Sequence, residues 1–278
     1  MRLVRQLTAV VSMAAFLAGC FQVETTVRVN PDGSGRVEER MLLSNKVISQ
    51  VDEMSKAFAG PEGKSEPFNL HDVESLRKRA GDMGQGVTFV SSKAITAGGY
   101  SGYRAVYAFK DINKLRLGRE TAKSIAGQGD RSDGTGESPF AFSFTPGKKA
   151  RLVVIPPRKE KASGKPEATV EPKPAQEGEK PPMTPEQEQQ VAEMMKGMRF
   201  SLAIEVNGTV LESNATHRDG GRITMFEFDL DKMGADPARL ELLKKVEPAD
   251  FAEAKELLKG LPGFRADLND RLEIVFAR

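Results

Sequence analysis

The chain has 278 residues, 29% of them charged and 39% hydrophobic, with a formal net charge of +2, one cysteine, two histidines and no tryptophan. A single cysteine excludes an intramolecular disulfide and any multi-cysteine metal centre, and so small a charge supplies no field to hold nucleic acid. The length is enough for a substantial core, in one large domain or two small ones.

Residues 1–19 open with Arg2 and Arg5 and continue through an uncharged apolar run, Leu7 to Leu17, into small residues. This is the make-up of a secretory signal peptide. The apolar run is too short to span a bilayer, which takes about 20 residues. It ends in Leu17-Ala18-Gly19-Cys20, which resembles a bacterial lipobox. That resemblance implies lipid attachment to the Cys20 sulfur, cleavage before it and acylation of the new amino terminus. Two or three acyl chains hold a protein stably to a membrane where one does so only marginally. Cleavage would remove two arginines and leave 39 basic against 39 acidic residues, a neutral mature chain. The expected location is therefore the cell envelope, lipid-anchored. Phe21 after the cysteine resembles an outer-membrane sorting signal, on the periplasmic face, if the host is Gram-negative.

From Phe21 to Val29 the residues alternate strictly, with Phe21, Val23, Thr25, Val27 and Val29 on one face, which predicts a half-buried strand. Asn30 to Gly35 supplies a turn, and Val37, Met41 and Leu43 share a face on the return, so 21–43 reads as a hairpin. Asp32-Gly33 lacks the later ligands of a calcium loop. Val47, Val51, Met54 and Phe58 recur at helical spacing over 46–58, behind Ser44 and Asn45 as candidate N-caps. A second helix starts at Asn69 or Asp72, carries Val73, Leu76 and Ala80, and is stopped by Gly81 and Gly84. Residues 86–110 predict another hairpin, looping at Ala97-Gly98-Gly99. With the preceding elements they make 20–117 the N-terminal part of one domain.

Residues 118–137 are polar and read as a flexible loop, followed by a hairpin over 138–155 that turns at Thr145-Pro146-Gly147. Residues 156–183 are built from Pro, Lys, Glu, Ala and Gly, a disordered linker by composition. The segment 184–278 opens with a helix at Thr184-Pro185-Glu186. It continues into a three-stranded antiparallel meander over 199–230, with Asn207-Gly208 as a two-residue hairpin turn, and closes with helices after 236 and a last strand at Leu272, Ile274 and Phe276.

Neither His71 nor His217 lies in a metal-ligand spacing, and no carboxylates form an acid/base constellation. The expectation is a protein with no metal, no cofactor and no catalytic residues. Three segments carry a family resemblance: Cys20 running straight into a Val-rich strand and Asp32-Gly33-Ser34-Gly35; Tyr107-Ala108-Phe109-Lys110-Asp111-Ile112-Asn113-Lys114-Leu115; and the Asn207-Gly208 segment through Phe228. Together they resemble the LppM-type domain of bacterial lipoproteins. The resemblance implies an α+β fold in which helices pack on one face of a curved antiparallel sheet, as in lipid-binding helix-grip folds.

Two functions follow from this reading. One is a lipid-binding module, with Val47, Val51, Met54 and Phe58 lining the ligand; the other is a scaffold that recruits an envelope protein partner. A cavity between helix 46–58 and the sheet favours the first, and a solid core with an exposed apolar patch the second.

Overall fold

Strand β1 (Phe21–Val29) pairs antiparallel with β2 (Gly35–Ser44) in unbroken register from Phe21↔Leu43 to Val29↔Gly35. The alternation sorts the strands' residues: Val23, Val27, Val29, Val37 and Met41 are buried. The opposite face carries ion pairs such as Arg28–Glu38 and Arg28–Glu205, at 3.1 and 3.0 Å. The computed structural model describes residues 21–59, 67–117, 140–156, 197–234 and 260–278. The expected lipobox Leu17-Ala18-Gly19-Cys20, the expected 118–137 loop, the expected linker from residue 157 on and the helices expected after residues 184 and 236 fall outside the described residues, apart from the ends of the last two segments.

Helix α1 (Asn45–Ala59) follows directly, with the Ser44 hydroxyl accepting from the Val47 N–H at 3.3 Å. Helix α2 (Val73–Asp82) is capped by Asp72, whose carboxylate accepts from the backbone N–H groups of Glu74 and Ser75. It runs through Gly81 rather than stopping there, because that glycine keeps an ordinary backbone conformation; the positive φ falls at Gly84. Strands β3 (Thr88–Ala97) and β4 (Tyr100–Phe109) form the expected hairpin, and β4 pairs with β2. A 3-10 turn at Ile112–Lys114 comes next.

Strands β5 (Ala141–Thr145), β6 (Ala150–Ile155), β7 (Arg199–Val206), β8 (Thr209–Ser213), β9 (Arg218–Asp219) and β10 (Arg222–Asp229) follow, then a single helical turn, α3 (Leu230–Met233), and strands β11 (Phe264–Ala266) and β12 (Leu272–Ala277). The large sheet is open, in the order β11-β10-β7-β1-β2-β4-β3, with β9 attached to β10. A second sheet runs β5-β6-β12-β8. The fold is α+β and mostly antiparallel.

The meander expected over 199–230 is not formed. Strands β7 and β10 pair directly, while β8 leaves to join β12 in the second sheet. Asn207-Gly208 is accordingly no hairpin turn. A type I′ turn needs positive φ at both central residues, and Gly208 is not among the positive-φ glycines. The Asn207 N–H instead donates to the Val29 carbonyl, and Gly208 sits so close to the Ala277 carbonyl that a Cβ there would lie 2.2 Å from it. The pairing of β7 with β1 is parallel, from Gln22↔Arg199 to Val29↔Val206, and local patterning gives no sign of it.

The second sheet packs at the Asn30–Ser34 end of the large one. The Phe144 ring lies on Gly33 and 6.3 Å from the Phe276 ring, and the Ile112 N–H donates to the Gly33 carbonyl. One apolar cluster runs through both sheets, from Phe21 and Val27 to Leu152 and Phe276. Helix α2 packs on the same face through Leu76 and Ala80.

Candidate functional site

The apolar face of the large sheet is covered only in part, and an open groove of about 750 Å3 lies between it and α2. Its floor comes from alternate positions on four neighbouring strands: Val23, Met41, Phe200 and Leu202 with Phe226 beyond them. One wall is α2 with its C-cap, which contribute Leu76, Arg79 and Met83; Leu117 and Phe140, joined by a backbone bridge, close another side. Phe68 and Phe226, each 36% exposed, also line this space. The volume falls inside the range of small-molecule sites, about 300–1,000 Å3.

The groove is shaped by how α2 is held. Leu76 and Ala80, four apart, are its buried residues and seat it on the sheet. His71 Nε2 lies 2.8 Å from the Ser92 hydroxyl, and the Arg77 guanidinium stands 5.8 Å from the centre of the Phe89 ring, both on β3. At the C-terminal end of α2 the Met83 carbonyl accepts from the Arg116 N–H at 2.7 Å.

Beneath α2 lies a buried ionic cluster. Glu39 occupies a core-facing position of β2, between Val37 and Met41, and is 1% exposed. Arg79 Nη2 is 3.0 Å from its Oε2, and the Tyr103 hydroxyl donates to its Oε1 at 2.6 Å. Arg79 Nη1 in turn donates to the Tyr103 oxygen at 3.0 Å, closing a triangle. Burial works against the Arg79 charge, but Glu39 with the two tyrosines more than offsets this and holds the guanidinium above its ordinary value. Burial, followed by the charge of Glu39, pushes the Tyr103 phenol far up, so it stays a hydroxyl. Tyr107 is shifted the same way by the same causes, and its buried hydroxyl has no hydrogen-bond partner among the described residues.

The residues expected to line a ligand sit elsewhere. Val47 is 2% exposed and part of the core, and Val51 packs half-buried against it. Met54 is half-buried; neither it nor Val47 nor Val51 lines this groove, which α2 walls rather than α1. The Phe58 side chain lies outside the described residues, as does Cys20. Sequence reading passed over Glu39, Arg79 and Tyr103. The available signal was an acidic residue at a core-facing position of an otherwise apolar alternation, which demands a buried cation.

The opposite face of β7 carries a second, polar cleft of about 460 Å3, where His217 lies with Arg199, Arg222, Glu227 and Arg265. Its ion pairs span 3.8–4.0 Å, beyond hydrogen-bond reach. Among the described residues, no group of three or more His, Cys, Asp or Glu is placed to hold a metal ion.

No protein-family model matches the sequence, and no curated protein does. Among solved structures, the chain is similar to the NMR structure of the folded domain of LppM from Mycobacterium tuberculosis, with 10% sequence identity, covering 76% of this chain and 84% of that one at a TM-score of 0.29. An overlap this loose leaves the fold resting on the chain's own strand pairings, and the candidate site on its own groove.

Proposed function

We propose that the protein is a lipid-anchored envelope lipoprotein that binds an apolar ligand, such as a lipid acyl chain, in the groove between α2 and the sheet. The observation that carries this is the groove itself: about 750 Å3, with an apolar floor and with Phe68 and Phe226, each 36% exposed, in its lining. Exposed aromatic surface lining a concavity favours an apolar occupant at about 25 cal/mol per Å2 buried. Position supports the reading. Val23 lies three residues from Cys20, so at about 3.3 Å per residue the groove floor begins about 10 Å from the anchor. The function is binding rather than catalysis, since the buried carboxylate in the groove, Glu39, is spent on Arg79 and Tyr103.

Purification from the membrane in mild detergent, solvent extraction and mass spectrometry test the groove. Co-purified lipid is expected. Leu202→Trp should lower its amount several-fold at unchanged melting temperature, whereas Met54→Phe should leave it unchanged. If nothing co-purifies and nothing binds on titration, the lipid reading fails and a scaffold that recruits a protein partner becomes the better one. The anchor is tested separately. Cys20→Ala should leave an unprocessed chain of lower detergent-phase partitioning, and partitioning identical to wild type would refute it.

A further inference from the structure

From the charge arrangement in the groove we infer that its ligand is a neutral acyl ester, a lipid with an uncharged polar head such as an acylglycerol, and not an ionised fatty acid. The inference rests on the lipid reading above and names the ligand class of that same groove. Six charged side chains line it: Glu39, Asp72 and Asp82 against Lys78, Arg79 and Arg116. The formal sum is zero, so no net field draws an anion in.

The individual cations offer little more. Arg116 Nη1 donates to the carbonyls of Asn113 and Leu115, which fixes it to the 3-10 turn. Lys78 is exposed on α2, where Asp72 acts on it electrostatically. Asp72 stays ionised to lower pH than an ordinary carboxylate because the Ser75 hydroxyl and N–H donate to it.

Arg79 is the cation that the apolar part of the groove reaches, and its charge is already met. Glu39 Oε2 lies 3.0 Å from Nη2, and the Glu39 side chain is 1% exposed. A ligand carboxylate brought to Arg79 would place a second anion beside Glu39, which is itself shielded from solvent. Two carboxylates sharing a site cannot both stay ionised without cost. A carbonyl oxygen meets no such repulsion. The guanidinium has five N–H donors and gives one to Tyr103. Nη2, although 3.0 Å from Glu39, is buried without a hydrogen-bond partner among the described residues, and the side chain as a whole keeps 16% exposure, so guanidinium N–H groups are left for a neutral acceptor. The paired cluster thus presents directional donors without net charge, which suits an ester carbonyl.

The experiment is a competition on the whole protein, purified from the membrane in mild detergent and delipidated. Equimolar 1-palmitoylglycerol, methyl palmitate and palmitate are added at pH 8, and bound ligand is read by native mass spectrometry. Both esters should be bound over palmitate by about tenfold. The apolar double variant Glu39→Leu/Arg79→Met should bring that ratio close to one by weakening ester binding, and a ratio that stays about tenfold in this variant overturns the assignment of the selectivity to the pair. Palmitate binding equal to or above the esters overturns the inference and leaves the lipid reading standing. Binding of none of the three overturns the lipid reading, and the inference with it.

Discussion

The Tyr103 hydroxyl donates a 2.6 Å hydrogen bond to Glu39 Oε1 across the β2–β4 ladder, where Tyr103 is the register partner of Met41. Four residues along the ladder, the Tyr107 hydroxyl is equally buried and has no partner among the described residues. Two chemically identical substitutions should therefore differ in sign. Tyr103→Phe removes a bond to an ionised acceptor and should cost about 1.5–3 kcal/mol. Tyr107→Phe removes a hydroxyl that gains nothing and should be neutral or stabilising. Urea titrations of the two variants decide it, and equal destabilisation would show that Tyr107 has a partner after all.

Arg79 and Glu39 should behave as one unit. Arg79→Met alone leaves the Glu39 charge buried and uncompensated, at a cost of about 3–5 kcal/mol. Glu39→Leu with Arg79→Met, which replaces both by apolar groups of similar length, should recover most of that loss. A double-mutant cycle by chemical denaturation measures the coupling, and strict additivity would mean that the pair contributes nothing as a pair.

Acid should loosen α2 through Asp72. Its carboxyl is held below the ordinary value of 3.8, first by the Ser75 hydroxyl and then by the Ser75 N–H. A depressed native value means that its contribution is fully present above 3.8 and disappears as pH falls through the lower, folded-state value. Asp72→Asn should keep the cap but lose this acid dependence; Asp72→Ala should lose both. Stability profiles from pH 2 to 6 report the difference. A wild-type profile that matches the Asn variant would remove Asp72 from the acid transition.

Two glycines make an opposite pair. A Cβ on Gly102 would lie 2.0 Å from the Met41 carbonyl oxygen, a backbone atom held in the ladder, so Gly102→Ala should cost at least about 1–3 kcal/mol. Gly81, on α2, has open space around it and an ordinary φ. Gly81→Ala should stabilise by about 0.4–1 kcal/mol by restricting the unfolded chain. Thermal melts of both variants suffice.

These contrasts mark what the sequence discloses. Strands β1, β2, β4, β7 and β12 are legible because each has one face in the core, and burial forces a period of two. Helix α2 is legible from Asp72 and the Leu76–Ala80 spacing. The partners of the strands are another matter. Asn207-Gly208 is a strong local turn signal, yet β8 pairs with a strand some sixty residues away because the edge of β12 is free to take it. The spacing of Val47 and Val51 points to a ligand behind α1, but Val47 is buried in the core and Val51 packs half-buried against it. What leaves the groove open is the position of α2 across the sheet, which Glu39 and Arg79 fix over a separation of forty residues.

The parallel pairing of β1 with β7 joins residues 177 positions apart, as the Arg28–Glu205 contact shows directly. A chain that emerges amino terminus first therefore completes its opening hairpin long before the neighbour of β1 exists. Until residue 206 has appeared, one side of β1 presents a row of unpaired amides and carbonyls, with Phe21, Val23 and Val27 beside them. Such an edge is a template for wrong pairing, and non-local parallel ladders close slowly. The hazard is greatest during synthesis, so truncations ending before residue 199 should aggregate through β1, whereas those that keep β7 and β10 should not.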